Sequence, residues 1–140
     1  MVFLKSMKAL FSIFCLGFFA LGFSSCSKEA GTGGFASVSG VIWTQDWDNT
    51  FSIINSEFPA MDEDVYLMYG TDSIPSEDVK TSYNGWYNFS YLQPGKYTLY
   101  VYSNRYITPG NTNKLEPLLV PFEITDKREK VVLDTITIKR

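Results

Sequence analysis

The stretch Thr81–Tyr102, TSYNGWYNFSYLQPGKYTLYVY, decides how this chain folds. Asn84-Gly85 suits a type I′ turn, in which both central residues take positive φ. Pro94-Gly95 suits a type II turn, because proline presets φ and glycine takes the left-handed position. Beyond it, Tyr97, Leu99 and Val101 alternate with Lys96, Thr98, Tyr100 and Tyr102, the two-residue period of a strand. Two such turns among alternating aromatics predict a three-strand meander. Tyr87 and Phe89 share a phase that Leu92 leaves, which predicts a bulge near Ser90-Tyr91. The inward set is then Tyr87, Phe89, Leu92, Tyr97, Leu99 and Val101.

On the N-terminal side, Ala36–Thr44 reads as a first strand, with Val38, Gly40 and Ile42 alternating against Ser37, Ser39, Val41 and Trp43. Gln45–Asp62 shows no clear period, yet it holds Trp47, Phe51, Ile53, Ile54 and Phe58. It reads as a long loop that packs on something. Glu63–Tyr69 is a second strand, with Tyr66 and Met68 opposite Val65, Leu67 and Tyr69. Gly70–Asp78 is a turn-rich loop, and Val79–Ser82 a short third strand. On the C-terminal side, Asn104–Asn113 is a polar loop holding Pro109-Gly110. Leu115–Thr125 is extended, and Pro117 and Pro121 mark an edge, because proline cannot donate to a ladder. After a charged turn at Asp126–Glu129, Val131–Ile138 alternates as one closing strand. Seven or eight short strands with turns between them, and no convincing helix, predict an all-β chain folded as a single β-sandwich.

The first 25 residues read as a leader. Lys5 and Lys8 precede an apolar run, Ala9–Phe23, that is too short to span a bilayer comfortably. Phe23-Ser24-Ser25-Cys26 resembles the lipobox of bacterial lipoproteins, although Phe23 stands where an aliphatic residue is usual; Met7 offers a second start. The resemblance implies a signal peptide over 1–25 and a diacylated Cys26 at the mature N-terminus. It also implies a cell-envelope protein lipid-anchored in the outer membrane of a Gram-negative bacterium. Ser27–Gly34 is polar and glycine-rich, so residues 26–35 are expected to form a flexible tether and 36–140 the domain. Cys15 leaves with the leader, so no disulfide is expected. The 115 residues from Cys26 to Arg140 suffice for one core.

The chain carries 12 basic and 15 acidic residues and no histidine. An acidic domain lacks the footprint that nucleic acid requires. Without histidine there is no Ser-His-Asp or Cys-His arrangement and no imidazole zinc ligand. Gly31, Gly33 and Ala36 spell G-x-G-x-x-A without the flanking strand and helix a dinucleotide site needs. These features favour a non-catalytic role.

Thr81, Gly85, Tyr87, Phe89, Leu92, Pro94-Gly95, Tyr97, Leu99 and Val101 resemble the carboxypeptidase regulatory-like and Cna-B-like domains. That resemblance spans residues 37–138 and implies a prealbumin-like (transthyretin-like) sandwich. It further implies a spacer, stalk or interaction module acting on an envelope protein or glycan. Some relatives carry a Lys–Asn crosslink from the first strand. No lysine lies between Lys28 and Lys80, so none is expected here.

Three sites follow as expectations. Some Cna-B-like repeats hold Ca²⁺ just after the first strand, and Asp46, Asp48, Asp62 and Asp64 are the candidate oxygen ligands here. No other cofactor is expected. Trp47, Trp86, Tyr100 and Tyr102 are candidate aromatic ligand-binding residues, able to stack on sugars or a protein partner. Asp72-Ser73-Ile74 resembles an acceptor for O-glycosylation at Ser73. Asp134-Thr135-Ile136 resembles it too, but falls in an expected strand.

Overall fold

The computed structural model describes residues 29–105 and 114–140. The expected leader with Cys15 and Cys26, and residues 106–113 of the expected Asn104–Asn113 loop with Pro109-Gly110, lie outside the described residues. Nine strands follow: β1 Thr32–Trp47, β2 Ile54–Pro59, β3 Asp64–Tyr69, β4 Glu77–Lys80, β5 Trp86–Leu92, β6 Gly95–Arg105, β7 Lys114–Ile124, β8 Lys130–Val132 and β9 Ile136–Lys139. They form two sheets, one of β2, β1, β5, β8 and β9, the other in the order β4-β3-β6-β7. The all-β sandwich expected from the sequence is the fold, with nine strands among the described residues rather than seven or eight.

The first sheet is built along β1. Its lower half pairs with β5 on one flank and with β8, in parallel, on the other; its upper half pairs with β2 and, again in parallel, with β9. The neighbour changes at Ile42. Its N–H donates to Gly85 at 2.8 Å, and its carbonyl accepts from the Ala60 N–H at 3.0 Å. Between the sheets lie Val38, Ile42, Val65, Leu67, Tyr87, Phe89, Leu92, Tyr97, Leu99, Val101, Ile124 and Ile138, each at most 2% exposed. All six residues expected to point inward from the opening stretch are among them.

The meander is corrected. β5 pairs with β1 and β6 with β3, so the chain crosses between sheets before β5 and again after it. Turn chemistry sets local geometry and does not say which sheet receives the next strand. The turns differ as well. Of Asn84 and Gly85 only Gly85 is left-handed, at φ 76°. Its N–H closes on the Ser82 carbonyl at 2.9 Å, giving a three-residue connection instead of type I′. Gly95 has no positive φ; Tyr91 does, at 62°. The ladder shifts there between Ala36 and Ser37, which places the bulge where Leu92 leaves phase.

Three segments also differ from expectation. Gln45–Asp62 is mostly a hairpin: β1 continues to Trp47 and β2 returns against it. β2 is exposed on both faces except at Pro59, so it carries no period to read. Val131–Ile138 is two strands, because Val131 and Leu133 pack inward and then Ile136 and Ile138 do, a phase break at Asp134-Thr135. β7 is an edge strand, paired only with β6, as its two prolines require.

Residues 31–35, expected in the tether, pack against the sandwich instead. Gly31 accepts from the Gln93 N–H at 2.8 Å and donates to the Tyr97 hydroxyl at 3.0 Å. The Thr32 carbonyl accepts from Gln93 Nε2 at 2.7 Å. Gly34 passes so close to β5 that a Cβ there would lie 1.8 Å from the Leu92 carbonyl oxygen. Glycine at this position allows the approach, and residues 31–35 belong to the sandwich.

Candidate functional site

The outer face of the β4-β3-β6-β7 sheet carries an aromatic platform. Alternation along β3 turns Tyr66 and Met68 away from the core, and alternation along β6 does the same for Thr98, Tyr100 and Tyr102. Register places Tyr66 opposite Tyr100, Tyr100 opposite Leu119, and Tyr102 opposite Pro117. The Tyr66 and Tyr100 rings stack with centroids 4.9 Å apart and planes 14° from parallel. Tyr102 meets both edge-on, at 5.9 Å and 5.6 Å. Such pairs add to the burial they accompany.

The platform has an acidic margin. Lys80 reaches Asp64 at 3.1 Å and Asp62 at 3.4 Å, while Asp78 stands opposite Tyr66. The hydrogen bond to Asp64 holds the Lys80 ammonium above its ordinary range. Burial pushes the Tyr66 phenol up, and Asp64 and Asp78 push it further. Burial raises Tyr100 as well, with Tyr102 adding to it. Tyr66 and Tyr100 therefore stay neutral. A flat face of this kind can stack against a ring or apolar side chain and hydrogen-bond around it.

The four expected aromatic residues fall in three places. Tyr100 and Tyr102 lie on the platform, though Tyr100 is only 8% exposed, covered by its neighbours. Trp86 is on the outer face of the other sheet, 47% exposed. Trp47 ends β1, stacked on Phe51 at 6.0 Å with Lys139 Nζ 5.2 Å from its ring centroid. Tyr66, the centre of the cluster, is the residue the sequence reading left out. Its outward phase was legible, but the β3–β6 pairing that joins it to Tyr100 was not.

The carboxylates proposed for calcium do not converge. Asp48 caps the β1–β2 turn, accepting from the Thr50 hydroxyl, from Ser52 N–H at 2.7 Å and from Ile53 N–H at 2.9 Å. Those bonds, the Thr50 hydroxyl foremost, lower its pKa to about 2. Asp46 lies in the ladder opposite Ser56, and Asp62 and Asp64 face Lys80. Among the described residues no three acidic side chains gather as a metal-ion site. Ser73 is exposed in the loop before β4, and Thr135 is exposed between β8 and β9 rather than inside a strand.

No protein-family model matches the chain, and no curated protein does. Among solved structures the chain is similar to the crystal structure of (S)-allantoin synthase, with 15% identity and a TM-score of 0.42. The match covers 71% of this chain and 41% of that one, so this chain spans well under half that protein's length. That likeness is too distant to bear on activity.

Proposed function

We propose that this chain is a lipoprotein anchored through Cys26 in the cell envelope, at the outer membrane of a Gram-negative bacterium. Its single carboxypeptidase regulatory-like sandwich acts as a non-catalytic interaction module. The observation that carries this reading is the Tyr66–Tyr100–Tyr102 platform, continuous with Leu119 at 58% exposure and bordered by Asp64, Asp78 and Lys80. A preassembled face of stiff aromatics loses little side-chain entropy on association, which suits a recognition surface. Its partner would be an envelope protein. A photoreactive amino acid at Leu119 tests this in intact cells, with one at Ser73 as control. A discrete protein adduct from position 119 and not from 73 supports the reading; equal, diffuse labelling from both removes it.

The paired phenols favour a second reading, a glycan stacked on Tyr66 and Tyr102. The acidic margin would then select neutral or amino sugars over uronic acids. Calorimetric titration with a glycan panel separates the two. Binding lost in Tyr102→Ala supports the glycan, and no heat from any sugar leaves the protein partner.

A further inference from the structure

We infer that the sandwich sits on a phospholipid surface by one rim of the β1 sheet, with Phe35 and Tyr91 in the headgroup layer and Lys127, Arg128 and Lys130 against lipid phosphates. This rests on the reading of Cys26 as the acylated residue. The N-terminal end of the described chain is pinned. Gly31 is already bonded to Gln93 and Tyr97. Two residues, Ser27 and Lys28, separate Cys26 from Glu29, where the described chain begins, and these three residue steps reach about 11 Å at most when fully extended. An anchor that short holds the end bearing Gly31, the Gln93-Pro94 corner and the 125–129 turn at the membrane.

The surface at that end fits such a contact. Along the rim of the β1 sheet lie Tyr91 on β5, Phe35 on β1, and Arg128 and Lys130 leading into and starting β8. Tyr91 is 73% exposed and Phe35 74%. The Arg128 guanidinium lies 6.0 Å from the Phe35 ring centroid, so cation and aromatic form one patch. Aromatic rings belong at the water–bilayer interface, and basic side chains favour anionic leaflets. Acids lie at this end too. Glu123 lies opposite Lys96 on the second sheet, and Asp72 is in the loop between β3 and β4 of that sheet. Glu129 Oε2 accepts from Thr125 N–H at 2.6 Å and Asp126 N–H at 3.1 Å. Glu129 stands between Arg128 and Lys130 in sequence, and Asp126 and Glu29 line the same recess as Lys127. The second sheet, with its tyrosine platform, is left facing solvent.

The lipidated full-length chain tests this, because acylated Cys26 leaves an introduced cysteine as the only free thiol of the mature protein. Phe35→Cys, Tyr91→Cys and, at the opposite end, Tyr83→Cys are labelled with an environment-sensitive fluorophore. Each is reconstituted in phosphatidylethanolamine–phosphatidylglycerol vesicles containing a headgroup-region nitroxide lipid. Labels at 35 and 91 are expected to shift to the blue and to be quenched several-fold more than the label at 83. Arg128→Glu with Lys130→Glu should remove most of that difference. Equal quenching at all three sites, in protein that floats with vesicles and whose intact mass shows acylation, overturns the seat and leaves the lipoprotein reading standing. An unmodified Cys26 overturns both.

Discussion

Gly34 is the residue that makes a strand of what its composition marks as a tether. An added Cβ would meet backbone, the Leu92 carbonyl oxygen at 1.8 Å and its carbon at 2.4 Å, and no rotamer change relieves that. Gly34→Ala is therefore expected to cost about 2–3 kcal/mol in urea unfolding. It should also speed hydrogen exchange at the Gln93 amide, which donates to Gly31. A change within error would mean that residues 31–34 pair only loosely. Tyr87 raises a different question. Its ring fills the core at 1% exposure, and its hydroxyl is buried with no hydrogen-bond partner among the described residues. Burial pushes that phenol from an ordinary 10 up to about 12. A pKa raised in the folded state gives stability that is complete below pH 10 and lost as pH climbs through 12, because the unfolded chain releases its proton first. Tyr87→Phe should leave neutral-pH stability within about 1 kcal/mol of the parent. It should also flatten the alkaline loss between pH 10 and 12. An unchanged alkaline profile would place the titrating phenol elsewhere.

Elements depend on contacts that no local pattern reveals, and the crossover from β4 to β5 is an example. Thr81 is 5% exposed and ties two segments together. Its hydroxyl donates to the Ala60 carbonyl at 2.6 Å and accepts from Glu63 N–H at 2.9 Å. Thr81→Val keeps the shape and removes both bonds, leaving a buried carbonyl and amide unpaired. The expected loss is about 1–3 kcal/mol by denaturant titration. Thr81→Ser should recover most of it, and equal losses in both would assign the effect to the methyl group. From the sequence, Thr81 was only the first letter of a pattern. What was legible is what period and turn chemistry encode: the inward faces of β5 and β6, the bulge at Tyr91, the edge role of β7. What was not legible is partnership. β2 has exposed side chains on both faces, so nothing in its sequence repeats. The tyrosine platform was half visible for the same reason. Tyr100 and Tyr102 could be read as outward, and Tyr66 as outward on another strand, but only pairing of β3 with β6 makes them one surface.

At the scale of the whole molecule, the first and last described strands meet on β1. Ser37 pairs with Lys130 and Ile42 with Ile136, so the last strands cover a flank of the first in parallel. Until those last strands dock, the β1 flank is an open edge of the sort that recruits other chains. The Asp134-Thr135 break matters here. It divides one run of tail into a lower strand beside the β5 half of β1 and an upper strand beside the β2 half, each with inward residues in its own phase. Ile138 is fully buried, and Val132, six residues earlier in the same tail, is 76% exposed. Read as a single alternating strand, the tail would place both residues on one face and give them like weight. The two-strand arrangement does not. Ile138→Ala is expected to cost about 2–5 kcal/mol, the transfer of a buried side chain plus the cavity left behind. Val132→Ala should stay within about 0.5 kcal/mol of the parent. Matched urea titrations of the two variants decide the point. A Val132→Ala loss as large as that of Ile138→Ala would restore the single strand, and with it a tail that does not divide its pairing between the two halves of β1.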